Sequence, residues 1–336
     1  MTHTFSRRGL LSAAGALGLA ALTSACGSDD KPSSTASTGG AWSFTDDRGT
    51  KASAPSRPQK VVAFIGSAAA LYDFGVSDQI VGVFGPTKTA DGKADVQAGD
   101  FPIDKAEILG NVWGEFNVEK YAALRPEVLI TNIYEKDTLW YVPDESKDKI
   151  LPLAPSVGLN AARTPLNKII ERYADLAGSL GADLTAAKVT DAKTRFEAAA
   201  KKLGEVGKSS GLKVLACSAA ADLFYASNPG MNSDIMYFKE LGVEIIVPDK
   251  LDDLGYFESL SWENAGKYAA DVLLLDNRSS TLQPKDLTGK PTWNQLPAVK
   301  AGQIVGWNSE PRFSYAGSAG VLEELANALT SAKKVS

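Results

Sequence analysis

Histidine is almost missing from this chain: its 336 residues contain one, His3. A Ser-His-Asp triad, a Cys-His nucleophile, a histidine zinc site and a histidine-ligated haem have nothing to be built from. Cysteine is nearly as scarce. With only Cys26 and Cys217 there is no disulfide framework. Positive charge is also short, with 35 Lys and Arg against 40 Asp and Glu and a net charge of −5. That balance argues against nucleic acid as a partner. The apolar stretch Gly9 to Leu22 falls short of the roughly 20 residues that cross a bilayer. What is present is an ordinary globular composition, 44% apolar and 22% charged. The length suits two lobes better than one core.

The N-terminus carries the first motif. Ser6-Arg7-Arg8-Gly9-Leu10-Leu11 resembles a twin-arginine export signal, and Gly9 to Leu22 serves as its apolar region. Leu22-Thr23-Ser24-Ala25-Cys26 resembles a bacterial lipoprotein cleavage box, with Thr23 where Leu is commoner. The alternative is an ordinary cleaved signal with an incidental Cys. Residues 1–25 are thus expected to be a signal peptide and Cys26 the lipidated first residue of the mature chain. Cleavage removes His3, Arg7 and Arg8 but no acidic residue, so the net charge goes from −5 to −7. Residues 26–45 begin with a Ser/Thr/Gly-rich run and are expected to form a flexible tether. The protein is then exported and held by lipid on the outer face of the cytoplasmic membrane.

Beyond the tether, strand-like and helix-like segments alternate. Strands are expected at Val61 to Ile65, Ile80 to Phe84, Val128 to Ile133, Leu151 to Val157, Lys213 to Cys217, Val243 to Val247, Val272 to Asp276 and Ile304 to Trp307. Helices are expected after Gly66, at Glu119 to Leu124, from Pro165 to about Gly207 with a break near Gly181, at Ser233 to Leu241, at Glu263 to Tyr268 and at Ser318 to Leu329. The pattern predicts an α/β fold: two α/β lobes with mainly parallel sheets, joined by one long rigid helix, with a ligand cleft between them. The N-terminal lobe is expected at 46–184, the connecting helix at 185–207 and the C-terminal lobe at 208–336. In the connector, Ala186, Val189, Ala192, Phe196, Ala199 and Leu203 recur at helical spacing.

The two lobes echo each other. Phe116-Asn117-Val118-Glu119 through Val128-Leu129-Ile130 aligns without gaps on Leu260-Ser261-Trp262-Glu263 through Val272-Leu273-Leu274. Both read as an apolar residue, a Glu, a short helix, an acidic residue and an apolar strand. Two lobes on one plan are the simplest account.

With these features the chain resembles the substrate-binding lipoproteins of ABC importers, in the class that takes up ferric siderophores, cobalamin and haem. Pro58-Gln59-Lys60-Val61-Val62, Ile80-Val81-Gly82-Val83, Glu119 to Ile130 and Glu263 carry the resemblance by order and spacing. It implies a binding protein and not an enzyme, a monomer, and an ABC permease with a cytoplasmic ATPase as partner. It also implies that Glu119 and Glu263, one per lobe, dock on arginines of the permease. Carboxylates at helix starts are favoured by the helix dipole, and two on one face set the register of docking.

A cleft at the carboxyl ends of the strands would be lined by Trp113, Tyr134 and Trp140 from the first lobe. Tyr225, Arg278, Arg312, Phe313 and Tyr315 would face them from the second. Aromatic walls with one or two Arg suit a ferric hydroxamate such as a ferrioxamine, neutral at its metal core, better than a trianionic tris-catecholate. Arg312 is expected to donate to the oxygens around the iron, and Tyr134 from the facing lobe. The alternative for Arg312 is an internal ion pair with Glu310 or Glu323. The siderophore fills all six iron sites, so no metal ligand, catalytic residue or covalent cofactor is assigned, and Cys217 reads as a small buried strand residue. Other readings are a binder of ferric citrate, a mixed siderophore, cobalamin or haem, an exported α/β carboxylate hydrolase, and a structural surface lipoprotein.

Overall fold

The computed structural model describes residues 40–136 and 138–336. The expected signal peptide, the lipidated Cys26 and most of the tether lie outside the described residues.

The run Val61-Val62-Ala63-Phe64 is buried at every position, as a strand covered on both faces must be. It is the centre of a five-stranded parallel sheet. A short antiparallel ribbon, β1 (Trp42–Thr45) and β2 (Lys51–Ala54), precedes β3 (Val61–Phe64), β4 (Ile80–Phe84), β5 (Glu107–Ile108), β6 (Val128–Ile133) and β7 (Ser156–Asn160). The sheet order is β5-β4-β3-β6-β7. The chain builds outward from β3 to β5, then returns to the other side of β3. A topological switch point therefore lies between β3 and β6, and a crevice opens beyond their carboxyl ends.

The second sheet contains β8 (Lys213–Ala219), β9 (Leu223–Ser227), β10 (Glu244–Ile245), β11 (Phe257–Ser261), β12 (Val272–Asp276) and β13 (Ile304–Trp307). Its order is β11-β9-β8-β12-β13, and β10 pairs with β8. Strands β8, β10, β12 and β13 are parallel, while β9 runs antiparallel to both β8 and β11. The switch point here lies between β8 and β12.

Helix Ala187–Ser210 connects the lobes and ends on Gly211 in the left-handed region at φ 60°. It is not a lone strut. The C-terminal helix Tyr315–Ser331 lies along it, tied by a two-pronged bond from Arg195 to Glu323 at 2.7 and 2.6 Å. Ser314 caps that last helix by accepting from the Gly317 amide at 2.9 Å.

Several elements differ from the expectation. The tether does not reach residue 45: Trp42 and Phe44 are buried in β1, and the Trp42 indole donates to Ser179 at 3.1 Å. Residues 151–157 begin as a single turn, Leu151–Leu153, before β7 starts at Ser156. Val243 to Val247 shortens to the two residues of β10. The expected helix at Glu263 to Tyr268 is a 3-10 turn, Trp262–Asn264, because the Trp262 indole is anchored to the carbonyls of Ala220 and Ala221. Strands β9 and β11 were not expected. Their alternation is broken by polar residues, and antiparallel pairing, Ser259 opposite Tyr225, holds them in the sheet.

Candidate functional site between the lobes

Phe64 at the end of β3, Trp113 after β5 and Tyr134, Trp140 and Tyr141 after β6 form one continuous wall. Trp140 packs on Tyr134 with ring centroids 4.7 Å apart. Trp113 sets its edge against Trp140 at 4.8 Å and against Tyr141 at 5.0 Å. Tyr141 in turn stacks on Phe64 at 5.4 Å. Trp113 keeps 60% of its surface exposed, so a large apolar ring stands at the lip of the cleft. Tyr141 and Arg163 both have φ 58°, a left-handed backbone that side chains rarely adopt.

From the second lobe, the carboxyl ends of β12 and β13 supply the opposing face. Arg278 follows β12, and Ser309 and Glu310 follow β13. A cavity of about 220 Å³ lies where the two faces meet, with Tyr134, Trp140, Tyr256, Phe257, Arg278 and Glu310 among its lining. Tyr225 borders it through an edge contact with Phe257 at 5.7 Å.

The cleft is crossed by hydrogen bonds. Glu310 accepts from Trp140 Nε1 at 3.0 Å and from Gln97 Nε2 at 3.1 Å, while its other oxygen takes the Arg278 guanidinium. Arg278 is also held by Asp276, from Nη2 at 2.7 Å. Burial opposes the charge on Arg278, but Glu310 and Asp276 outweigh it and keep the guanidinium protonated. The Tyr256 hydroxyl donates to the Tyr134 carbonyl at 2.7 Å, and Ser279 donates to Asp95 at 2.6 Å.

One donor in the cleft is unused. The Tyr134 hydroxyl is buried and has no hydrogen-bond partner among the described residues. Burial first, then Glu310, drives its ionisation well above the usual phenol range, so it stays a neutral donor.

The structure therefore gathers Tyr134, Trp140 and Arg278 at one cleft, with Trp113 packed on Trp140 at its lip and Tyr225 behind Phe257. It does not bring Arg312, Phe313 or Tyr315 there. Arg312 turns the other way and pairs with Asp73 and Asp100 of the first lobe, each at 3.3 Å. Two glycines accept its guanidinium at close range: a Cβ on Gly99 would sit 2.1 Å from Nη1, and one on Gly317 2.4 Å from Nε. Its partner is neither Glu310 nor Glu323. Phe313 is buried against Tyr173 at 5.8 Å, and Tyr315 packs on Phe74 and Phe196. Phe313 is a core residue, and Tyr315 is half-buried against the core. Gln97 and Tyr256 were not assigned to the cleft from sequence. Glu310, three residues past the end of β13, stands at a strand end much as Arg278 does two residues past β12.

Glu119 and Glu263 are both exposed. Glu119 occupies the first turn of helix Val118–Leu124, capped by Asn117. Glu263 occupies the 3-10 turn after β11, where its own amide and the Ser261 hydroxyl hold its carboxyl below the usual range. Cys217 is fully buried, and burial pushes its thiol up.

Comparison with known proteins agrees with this geometry. A ferric-siderophore receptor protein from Streptomyces coelicolor, DesE, matches with 52% identity over 88% of this chain and 100% of that one, at a TM-score of 0.85. The petrobactin-binding protein YclQ of Bacillus subtilis matches with 18% identity over 86% and 98%, at a TM-score of 0.66. The siderophore periplasmic binding protein from the fuscachelin gene cluster of Thermobifida fusca matches with 18% identity over 82% and 98%, at a TM-score of 0.58. The last two establish the shared fold. No curated protein sequence matches significantly. The family model described as periplasmic binding protein matches residues 61–311, from the first strand of the parallel sheet to the loop beyond Glu310. A chain of two α/β lobes that meet across an aromatic cleft, and that this model matches over most of its length, belongs to the periplasmic binding protein family.

Proposed function

We propose that this protein captures a ferric siderophore of the hydroxamate class outside the cytoplasm and delivers it to the permease of an ABC importer. The observation that carries the reading is the Tyr134 hydroxyl, a buried donor without an acceptor between aromatic walls. Leaving such a group unmatched costs free energy that a ligand oxygen recovers. Hydroxamate and carbonyl oxygens around a ferric ion are such acceptors, and Trp113, Trp140 and Tyr225 suit the apolar rim of the chelate. The likeness to the Streptomyces coelicolor ferric-siderophore receptor supports a ferric siderophore as the ligand.

A cavity of about 220 Å³ is smaller than the roughly 300–1,000 Å³ of common ligand sites. Entry of a chelate therefore parts the contacts between the lobes around Glu310. Glu119 and Glu263 are the residues we assign to permease docking, one on each lobe and both exposed. Arg7 and Arg8 direct export, and lipid on Cys26 anchors the monomer to the outer face of the cytoplasmic membrane.

The test is a fluorescence titration, since Trp113 and Trp140 stand in the cleft. The ferric trihydroxamate should quench the emission saturably and the metal-free chelator weakly. No quenching and no binding heat with any ferric hydroxamate would end this reading.

A further inference from the structure

Glu310 is where the two lobes meet inside the cleft. It is 7% exposed, and its carboxylate takes donors from Trp140 and Gln97 on one lobe and Arg278 on the other. Arg278 does not need this partner for charge balance. Asp276 already holds its guanidinium, from Nε at 3.1 Å to both oxygens and from Nη2 at 2.7 Å. One guanidinium thus faces two carboxylates, and the group carries a net negative charge. Two further acids line the cavity. Glu135 is matched by Arg163 at 3.1 Å, whereas Asp252 is held by the amides of Tyr256 and Phe257 at 3.0 and 3.2 Å. The unpartnered Tyr134 hydroxyl lies in the field of Glu310 and Arg278.

Resting on the siderophore reading above, we propose that Glu310 is the specificity-determining residue of the cleft. It adds a second carboxylate to an Arg278 that Asp276 already balances and so leaves the floor negative; the protein therefore prefers ferric chelates that carry a free ammonium and turns away anionic ones. Without Glu310, Arg278 and Asp276 form a neutral pair, and the repulsion that a trianionic tris-catecholate meets at this floor is lifted. Like charges brought together in a desolvated site repel strongly, so one acid here discriminates against anions more than it adds to affinity for a neutral ligand.

The experiment compares three ferric chelates on the wild-type protein and on Glu310→Gln, by tryptophan fluorescence titration. They are a linear trihydroxamate with a free ammonium, its N-acetylated neutral derivative, and a tris-catecholate. The wild type should bind the ammonium form about tenfold or more tighter than the acetylated form, and the catecholate least. Tenfold is the order expected for one favourable charge contact of about 1.4 kcal/mol. Glu310→Gln keeps the shape and one acceptor oxygen. It should erase the preference for the ammonium form and raise catecholate affinity roughly tenfold. Glu310→Asp, which keeps the charge, should keep the preference. The readout is a ratio within one variant, so a general weakening of the fold cancels. An unchanged ratio of ammonium to acetylated form in Glu310→Gln overturns the proposal while leaving the siderophore reading intact. Failure of the wild type to bind any of the three removes that reading and the proposal with it.

Discussion

Replacing Arg312 by alanine separates two roles that the sequence left open. The guanidinium reaches Asp73 at 3.3 Å and Asp100 at 3.3 Å, and its side chain is 18% exposed. Asp100 is 80% exposed, so that contact contributes little. Asp73 is 4% exposed, and its remaining polar partner is the Ser314 hydroxyl. Removing one member of a buried pair costs about 3–5 kcal/mol when the survivor is stranded. Here Ser314 still donates to Asp73 and the carboxyl can take up a proton, so about 2–4 kcal/mol is expected at neutral pH. For a chain of this size that lowers the melting temperature by roughly 3–6 °C.

The pH dependence has a definite sign. Burial raises the ionisation of Asp73 above 3.8, and Arg312 opposes that rise. A carboxyl raised in the folded state favours folding below its unfolded value, and that contribution is lost as pH rises through its folded value. Without Arg312 the folded value rises further. The deficit of Arg312→Ala should therefore be largest near pH 7 and shrink toward pH 4. Calorimetric melting of both proteins across that range, with a ferric hydroxamate titration of each, decides the matter. Ligand affinity should change less than about twofold. A variant that melts like the wild type but loses affinity tenfold would refute the placement of Arg312 outside the cleft.

Tyr134→Phe removes a hydroxyl with no partner among the described residues, so stability should hold while affinity for a ferric hydroxamate falls by about 0.5–1.5 kcal/mol, read by calorimetric titration. A drop in melting temperature with unchanged affinity would mean that the hydroxyl serves the fold. Glu119→Ala combined with Glu263→Ala should leave the ligand affinity unchanged and abolish iron uptake in cells, and loss of ligand binding by the purified double variant would contradict the docking role. Burial pushes the Asp234 carboxyl up to about 6, against the Trp307 indole and the Ile235 amide that stabilise its charge. Its contribution to stability is complete below about 3.8 and lost as pH rises through about 6. Asp234→Asn should accordingly flatten the fall in melting temperature between pH 5 and 7. A slope identical to the wild type would show that other groups carry it.

Much of the scaffold was legible locally. Val61 to Phe64, Ile80 to Phe84, Val128 to Ile133 and Val272 to Asp276 are apolar runs of strand length, and burial on both faces of a parallel sheet demands such runs. The helix Ser233–Leu241 and the break between Leu166–Ser179 and Ala187–Ser210 follow from apolar spacing and from Gly181, whose φ of 90° ends the first helix. Strands β9 and β11 were not legible, because pairing with a neighbour, rather than their own pattern, holds them extended.

The site divides along the same line. That Tyr134 and Trp140 would gather at a strand end was written in the order of the residues, since they follow the recognisable strand β6 by a few positions. Trp113 follows β5 and Tyr225 lies in β9, strands that the local pattern did not mark. Which charged residue would join them was not legible either. Arg278 and Arg312 each lie a few residues beyond a strand, and that position does not tell them apart. Asp276, at the end of β12, catches Arg278 and holds it at the cleft. Ser314 caps the last helix and bonds to Asp73, and this draws Arg312 toward the opposite lobe. The choice depends on carboxylates far away in the chain, Glu310 for one arginine and Asp73 for the other. Only the folded lobes, packed against each other, bring those groups within reach.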